Sequence, residues 1–222
     1  MFLTRRVGGL PTWGWFAVGT ALILVIIIVA AAAASASGGS TISTTIGNVV
    51  KARSNTDTEQ GAVYLQNASL AAIVNQSVVG WSFYASKNTN YVTPLLVEEV
   101  VNGTSATYYV RGIGASAKSA GTSAPQAFNF DVASGSNVIQ NANYYVGHYD
   151  GRWDSTGSYS NKGAIEFDTI LFNTAIADQI MSNGIIRLGI TNTTITLNGA
   201  LTTHDGADVT SRTYSVQFYA ST

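Results

Sequence analysis

The sequence predicts a mainly β protein: an antiparallel β-sandwich or jelly-roll-like domain preceded by one apolar N-terminal helix. Three observations lead there. From about residue 60 onward, short runs rich in Val, Ile, Thr, Tyr and Phe recur, punctuated by Gly, Asn, Ser and Asp. These runs do not alternate with helical segments of the length a parallel βαβ sheet requires. The longest apolar run stands at the N-terminus, inside a stretch with no charged residue between Arg6 and Lys51.

That run, Trp13 to Ala34, has 22 residues. A membrane-spanning helix needs about 20. Arg5 and Arg6 mark the end expected to stay cytoplasmic, and Trp13, Trp15 and Phe16 stand where interfacial aromatics belong. Three fates are open: a secretory signal cut after Ala34-Ser35-Ala36, a retained anchor, or a pilin-type helix packed in a filament core. Residues 1–36 are therefore expected to be a signal peptide or a transmembrane or pilin-type helix. The rest of the chain is expected at the cell surface, exported through the cytoplasmic membrane.

Residues 37–60 are rich in Gly, Ser and Thr and read as an extended arm or linker. Within them Ile42, Thr44 and Ile46 would share one face of an extended strand. Residues 61–222 form the expected β domain. Its first strands are Ala62–Gln66 and Ser77–Tyr84. A hairpin follows, from Leu95–Val101 through a turn at Asn102-Gly103 to Ala106–Arg111. Next come Ala127–Val132, a turn over Ser134–Asn137, and Asn143–Tyr149. Ala164–Phe172 follows, then a short helix over Thr174–Ser182 that Asn183-Gly184 would stop. The last strands are Ile185–Ile190, Thr194–Leu197 and Arg212–Tyr219. In the last, Tyr214, Val216 and Phe218 fall on one face.

Composition narrows the function. The 222 residues hold 11 Lys+Arg and 12 Asp+Glu, a net charge of −1, and only 10% are charged. An ordinary soluble domain has about 25%. Nucleic-acid binding needs clustered Lys and Arg to neutralise phosphates, so it is excluded. With 46% hydrophobic residues the chain is no disordered polyelectrolyte. No cysteine means no disulfide, thiolate metal site or Cys nucleophile. Polarity comes instead from 22 Ser, 25 Thr and 16 Asn. From residue 37 onward 9 Lys+Arg face 12 Asp+Glu, a net −3. So few charges leave few ion pairs to lose in acid, and an acid-tolerant exterior is expected.

No catalytic motif stands out, and no enzyme activity, cofactor or metal is expected. His148 lies in an aromatic strand, and His204-Asp205-Gly206 reads as a solvated turn. Glu98 and Glu99 point to opposite faces of a strand. Glu166 and Asp168 share a face, where a paired-carboxylate glycosidase site is conceivable, but alternation with Ile165 and Phe167 turns them outward to solvent. The densest candidate is Tyr144 to Asp154. Tyr149, Asp150, Arg152 and Trp153 would form a sugar-binding loop, since aromatic faces stack on sugar rings and Asp and Arg bond hydroxyls. Asp150 and Asp154 would alternatively hold a hard cation. In the structural reading, the aromatics alternate into the core and Asp150-Gly151 makes a turn. Four sequons make Asn67, Asn75, Asn102 and Asn192 glycosylation candidates, with Asn102 at the hairpin tip.

The apolar leader to Ala36, the arm Ser40–Val50 and the alternating end Tyr214–Phe218 together give a layout that resembles archaeal extracellular filament subunits of the pilin or thread type. The resemblance implies a secreted glycoprotein that polymerises with copies of itself. Assembly would use N-terminal helix packing or an arm that completes the next subunit's sheet. Ile42, Thr44 and Ile46 would then be the self-assembly face, unless the arm is a plain tether. Two other readings stay open. One is a membrane-anchored viral capsid or spike protein with a jelly-roll body; the other is a secreted carbohydrate-binding surface protein. The expected partners are copies of the chain, the membrane during export, and glycans.

Overall fold

Alternating and β-branched runs do form strands throughout the body, in the computed structural model that describes residues 41–57, 61–86, 88–153, 165–169, 179–182, 184–190, 195–203 and 209–222. The apolar leader lies outside the described residues, as do Asp154, Asn192, His204 and most of the predicted helix. The strands in chain order are β1 (Thr44–Gly47), β2 (Asn55–Thr56), β3 (Val63–Gln66), β4 (Ser77–Phe83), β5 (Asn88–Asn102), β6 (Ser105–Gly114), β7 (Ala117–Ala120), β8 (Gln126–Asn129) and β9 (Val132–Gly135). There follow β10 (Tyr144–Tyr149), β11 (Glu166–Asp168), β12 (Gln179–Ile180), β13 (Ile185–Ile190), β14 (Ala200–Thr203), β15 (Val209–Thr210), β16 (Thr213–Tyr214) and β17 (Val216–Ser221). One 3₁₀ turn spans Ala71–Ile73. No helix among the described residues is long and apolar enough to cross a membrane.

Six strands close into a ring: β5, β10, β3, β13, β14 and β6, with the β5–β6 hairpin sealing it. All six pairings are antiparallel. A closed ring leaves these strands no free edge between neighbours. β7, β9 and β15 extend the ring sheet beside β5, β6 and β13, and a five-stranded sheet, β12-β1-β17-β4-β8, and a small sheet, β16-β11-β2, complete the described body. The mainly β, largely antiparallel class is as expected. The expected sandwich or jelly roll must be amended to include a closed barrel. Alternation says which residues face inward, but the partners that close a ring are far apart in sequence.

Alternation sorts the apolar residues into two cores. Val63, Leu65, Leu95, Val97, Tyr108, Val110, Ile186, Leu188 and Leu201 come from the ring strands alone and fill the barrel. Their neighbours Tyr64, Leu96, Tyr144, Val146 and Ile185 point outward. They pack with Ile46, Val78, Trp81, Phe83, Val216 and Phe218 of the five-stranded sheet. This outer layer is aromatic: the Trp81 and Phe83 rings stack with centroids 5.1 Å apart. Tyr214, Val216 and Phe218 share it, on one face as their alternation predicts.

Four local expectations are corrected. The hairpin turn centres on Gly103 and Thr104, because Asn102 pairs with Ser105. The stretch expected to turn at Ser134–Asn137 begins inside β9, which pairs with β6. Residues 195–199 form no strand; a turn at Leu197–Asn198, with Asn198 at φ 58°, leads into β14. The end of the predicted helix is instead β12, running parallel to β1. In the last three cases contact with a distant strand outweighs local preference.

Candidate functional site

The segment read as an arm is the first described part of the chain. Ile42 is half-buried ahead of β1, Thr44 is half-buried, and Ile46 is fully buried. β1 lies between β17, antiparallel with Thr44 opposite Ala220 and Ile46 opposite Phe218, and β12. The arm candidates thus sit in the chain's own sheet. Behind them, residues 49–54 are tied down by Glu166 and Asp168. The Arg53 guanidinium bonds Asp168 at 3.0 Å and the Val49 carbonyl at 2.8 Å. The Arg53 amide donates to Glu166 at 2.7 Å, and the Ser54 amide to Asp168 at 3.0 Å. Burial works to raise the Asp168 pKa, but the bonds from Ser54 and Arg53 outweigh it and lower it. Glu166 and Asp168 do share a face, yet that face meets the 49–54 segment and not solvent, so the solvated-pair expectation is corrected.

A second grouping was not legible from sequence. On the outer wall of the barrel, Tyr64 of β3 and His148 of β10 meet Tyr214 of β16. Their ring centroids are 4.8–5.4 Å apart, and all three rings are fully buried. Asp57 and Asp150 join them, each 2% exposed. The Tyr214 hydroxyl donates to Asp57, and the Arg212 guanidinium donates to the Tyr214 oxygen at 3.2 Å while lying over the Phe167 ring. His148 Nε2 is 3.9 Å from an Asp150 oxygen. Neither imidazole nitrogen makes a hydrogen bond among the described residues. Burial pushes the His148 pKa down to about 4, against the pull of Asp57. Burial and the nearby carboxylates hold the Tyr64 and Tyr214 hydroxyls protonated. Sealed from solvent, this cluster touches no external substrate.

The predicted sugar loop is split three ways. β10 continues through Tyr149, whose ring turns into the barrel core. Asp150 enters the buried cluster. Both are corrected as surface ligands, because strand alternation carries them inward. Arg152 and Trp153 stay at the surface. There they line a cavity of about 280 Å³ with Tyr91, Ala115, Ser116 and Ala133. The Arg152 guanidinium lies over the Tyr91 ring, 5.4 Å from its centroid. The cavity wall is pinned from beneath. Buried Thr93 donates to the Gly151 carbonyl at 2.7 Å, so Ser116, 2.7 Å away, must donate to Thr93. Tyr91 and Ser116 join the site only through the fold.

A larger cavity, about 390 Å³, is lined by Glu98, Arg111, Gln140, Tyr144 and Asn198. Its charges are already committed: Arg111 bonds Glu98 at 2.8 Å and Asn198 at 2.7 Å, and Asn141 donates to Glu98. Glu98 and Glu99 do face opposite ways, for Glu99 accepts from Tyr108 and Tyr145. Burial and that carboxylate push the Tyr145 hydroxyl up to about 12. Among the sequons, Asn102 and Asn75 are exposed and Asn67 is half-buried, while Asn192 lies outside the described residues. No group of His, Asp and Glu among the described residues is arranged to hold a metal ion. A scan against family models, a search of curated proteins and a search of solved structures each return no match for the chain.

Proposed function

We propose that the chain is a structural subunit of an extracellular filament, joined by β-augmentation: β1 of one copy enters the slot of the next. The observation that carries this reading is the position of β1. It is a four-residue strand at the N-terminal edge of the described body, inserted between β17 and β12, with one side chain, Ile46, buried in the core. Such an element can be exchanged between identical copies at low cost.

In this reading Gly47 is the hinge. Gly47 has φ 101°, and a Cβ there would sit 2.8 Å from the Val216 carbonyl, so the chain turns at a residue only glycine fits. Beyond it, residues 49–54 are fixed to Glu166 and Asp168 and would stay with their own body.

The uncharged run that follows Arg5 and Arg6 supports export, and the exposed Asn75 and Asn102 sequons are accessible for glycosylation on the outer surface. The outer layer between the five-stranded sheet and the barrel wall supports a sandwich-like description of the body. We regard this subunit as structural, not enzymatic.

The chain has no cysteine, so one engineered pair tests the exchange. Residues directly opposite across an antiparallel pair lie about 4.5–5.5 Å apart, within reach of a disulfide. Thr44→Cys with Ala220→Cys, oxidised after assembly of the full chain, should give a ladder of covalent multimers on a non-reducing gel. Filaments whose subunits all run as closed monomers would overturn the exchange. Dispersed single particles by negative-stain microscopy would overturn the filament.

A further inference from the structure

We infer that the cavity between Glu98, Arg111, Gln140 and Asn198 binds one neutral sugar ring, a hexopyranose of a glycan. The inference rests on this cavity and not on the filament reading. Its volume, about 390 Å³, falls among small-molecule sites, which begin near about 300 Å³. That is room for a sugar ring and not for a helix of a partner.

Charge narrows the ligand. Among the described residues lining the cavity, Glu98 and Arg111 carry the charges, and they bond each other at 2.8 Å. Burial would raise the Glu98 pKa, but the bonds from Asn141 and Arg111 outweigh it and lower it, so the carboxylate is ionised and the lining is neutral overall. A ligand anion at Arg111 would stand beside the Glu98 carboxylate, and a ligand cation at Glu98 beside the guanidinium. Each would lose to one partner what it gains from the other.

A hydroxyl suits both partners, because it donates and accepts at once. Glu98 accepts one bond from Arg111 and one from Asn141, about half of what its two oxygens can take. The bonds to Glu98 and Asn198 use two of the five or so N–H groups of Arg111. Adjacent sugar hydroxyls can therefore donate to the carboxylate and accept from the guanidinium without breaking the pair. The lining adds donors. Asn198 Oδ1 accepts from Arg111, and Gln140 Oε1 accepts from Tyr144 at 3.2 Å, so both side chains keep their amide nitrogens to donate. Ser136 Oγ accepts from the Val138 amide and keeps its proton to donate. Leu197, 37% exposed, gives the apolar surface that a C–H face of the ring needs.

The lining is held in shape before any ligand arrives. The Ser136 amide donates to the Arg111 carbonyl at 3.0 Å and the Asn198 amide to the Val110 carbonyl at 2.8 Å, so both loops are fastened to β6. Gly135 has φ 78°, and a Cβ there would run into the Arg111 carbonyl and lie 2.5 Å from Leu197 Cδ1. Only glycine lets the loop and Leu197 approach this closely.

The test is saturation-transfer NMR on the full chain, read on the sugar signals. Methyl glucoside, methyl mannoside and methyl galactoside are the neutral probes; methyl glucuronide and methyl glucosaminide are the charged ones. At least one neutral glycoside should bind, roughly tenfold more tightly than either charged probe. Glu98→Gln keeps the side-chain shape and removes the counter-charge of Arg111, so it should weaken the neutral sugar and make the glucuronide the better ligand. Leu197→Ala, at an exposed position, should weaken the neutral sugar about threefold. No binding of any neutral probe overturns the inference, as does equal or tighter binding of a charged probe by the unaltered chain. Binding that neither substitution changes puts the sugar elsewhere and overturns this site.

Discussion

Strands β3 and β10 lie side by side in the barrel wall and present two unlike faces. Inward they give Val63, Leu65 and Tyr149 to an apolar core; outward they give Tyr64 and His148 to a cluster with two buried carboxylates. The backbone, the pairing and the burial are the same on both sides. What differs is the response to protons. At Val63 and Leu65 the inner face makes only apolar contacts, so the stability these residues contribute should be insensitive to pH. The outer face is held by shape together with a neutral His148, whose pKa burial lowers to about 4, so its stability depends on pH. Sparse surface charge predicts a weak acid response, and this cluster is where an acid response is concentrated.

The largest effect should come from the inner face. A Cβ on Gly147 would lie 2.5 Å from the Tyr64 carbonyl and 2.6 Å from Leu65 Cδ2. Gly147→Val should cost about 4 kcal/mol or prevent folding, because the clash is with backbone. Leu65→Ala, a truncation in the same core, should cost about 3 kcal/mol. Urea denaturation at pH 8 and pH 5 should give the same loss for Leu65→Ala. A loss that changes with pH would break the contrast between the faces.

The outer face should show the opposite behaviour. The unfolded imidazole takes up its proton near pH 6.5, the folded one only near 4. Between these values the unfolded chain holds more protons. The His148 contribution is therefore complete above pH 6.5, declines as pH falls toward 4, and changes no further below that. The whole decline amounts to about 3 kcal/mol. His148→Phe should flatten the dependence of the urea midpoint on pH in this window; an unchanged slope would place the proton uptake elsewhere.

Smaller effects sharpen the comparison. Tyr214→Phe keeps the ring stack but removes the hydroxyl that donates to Asp57, and should cost about 2 kcal/mol. A loss that shrinks when Asp57→Asn is added would locate the cost in the pairing of these two groups, by double-mutant cycle. Smallest should be Glu98→Gln at the surface. Its ion pair with Arg111 is partly exposed, so a loss under about 1 kcal/mol is expected, fading with added salt.

Much of the strand content is legible in the residues. Ser77–Phe83, the long hairpin about Asn102, Tyr144–Tyr149 and Ile185–Ile190 declare themselves through β-branched and aromatic runs bounded by turn residues. The candidate sites are less legible. Tyr144–Tyr149 has aromatic rings on both faces, at four of its six positions, so its own pattern does not say which parity faces the barrel. A reading that kept Tyr149 and Asp150 with Arg152 and Trp153 as one loop followed adjacency in sequence, whereas alternation sends them to three places. Nothing near Asp57, Tyr64 or Tyr91 announces a shared site, because their partners are 61 to 157 residues away in the chain.

By itself the sequence determined the polarity and the class. A sparsely charged chain rich in Ser, Thr and Asn, the lack of cysteine, an apolar N-terminal run and a β body all follow from composition and local periodicity, which act between neighbours. Tertiary structure alone decided that six strands close into a barrel and that β1 lies between β17 and β12. It also decided that a histidine, two tyrosines and two aspartates meet away from water. Those outcomes depend on contacts between distant residues, and their physical basis is the burial of the alternate faces that a closed sheet leaves outside itself.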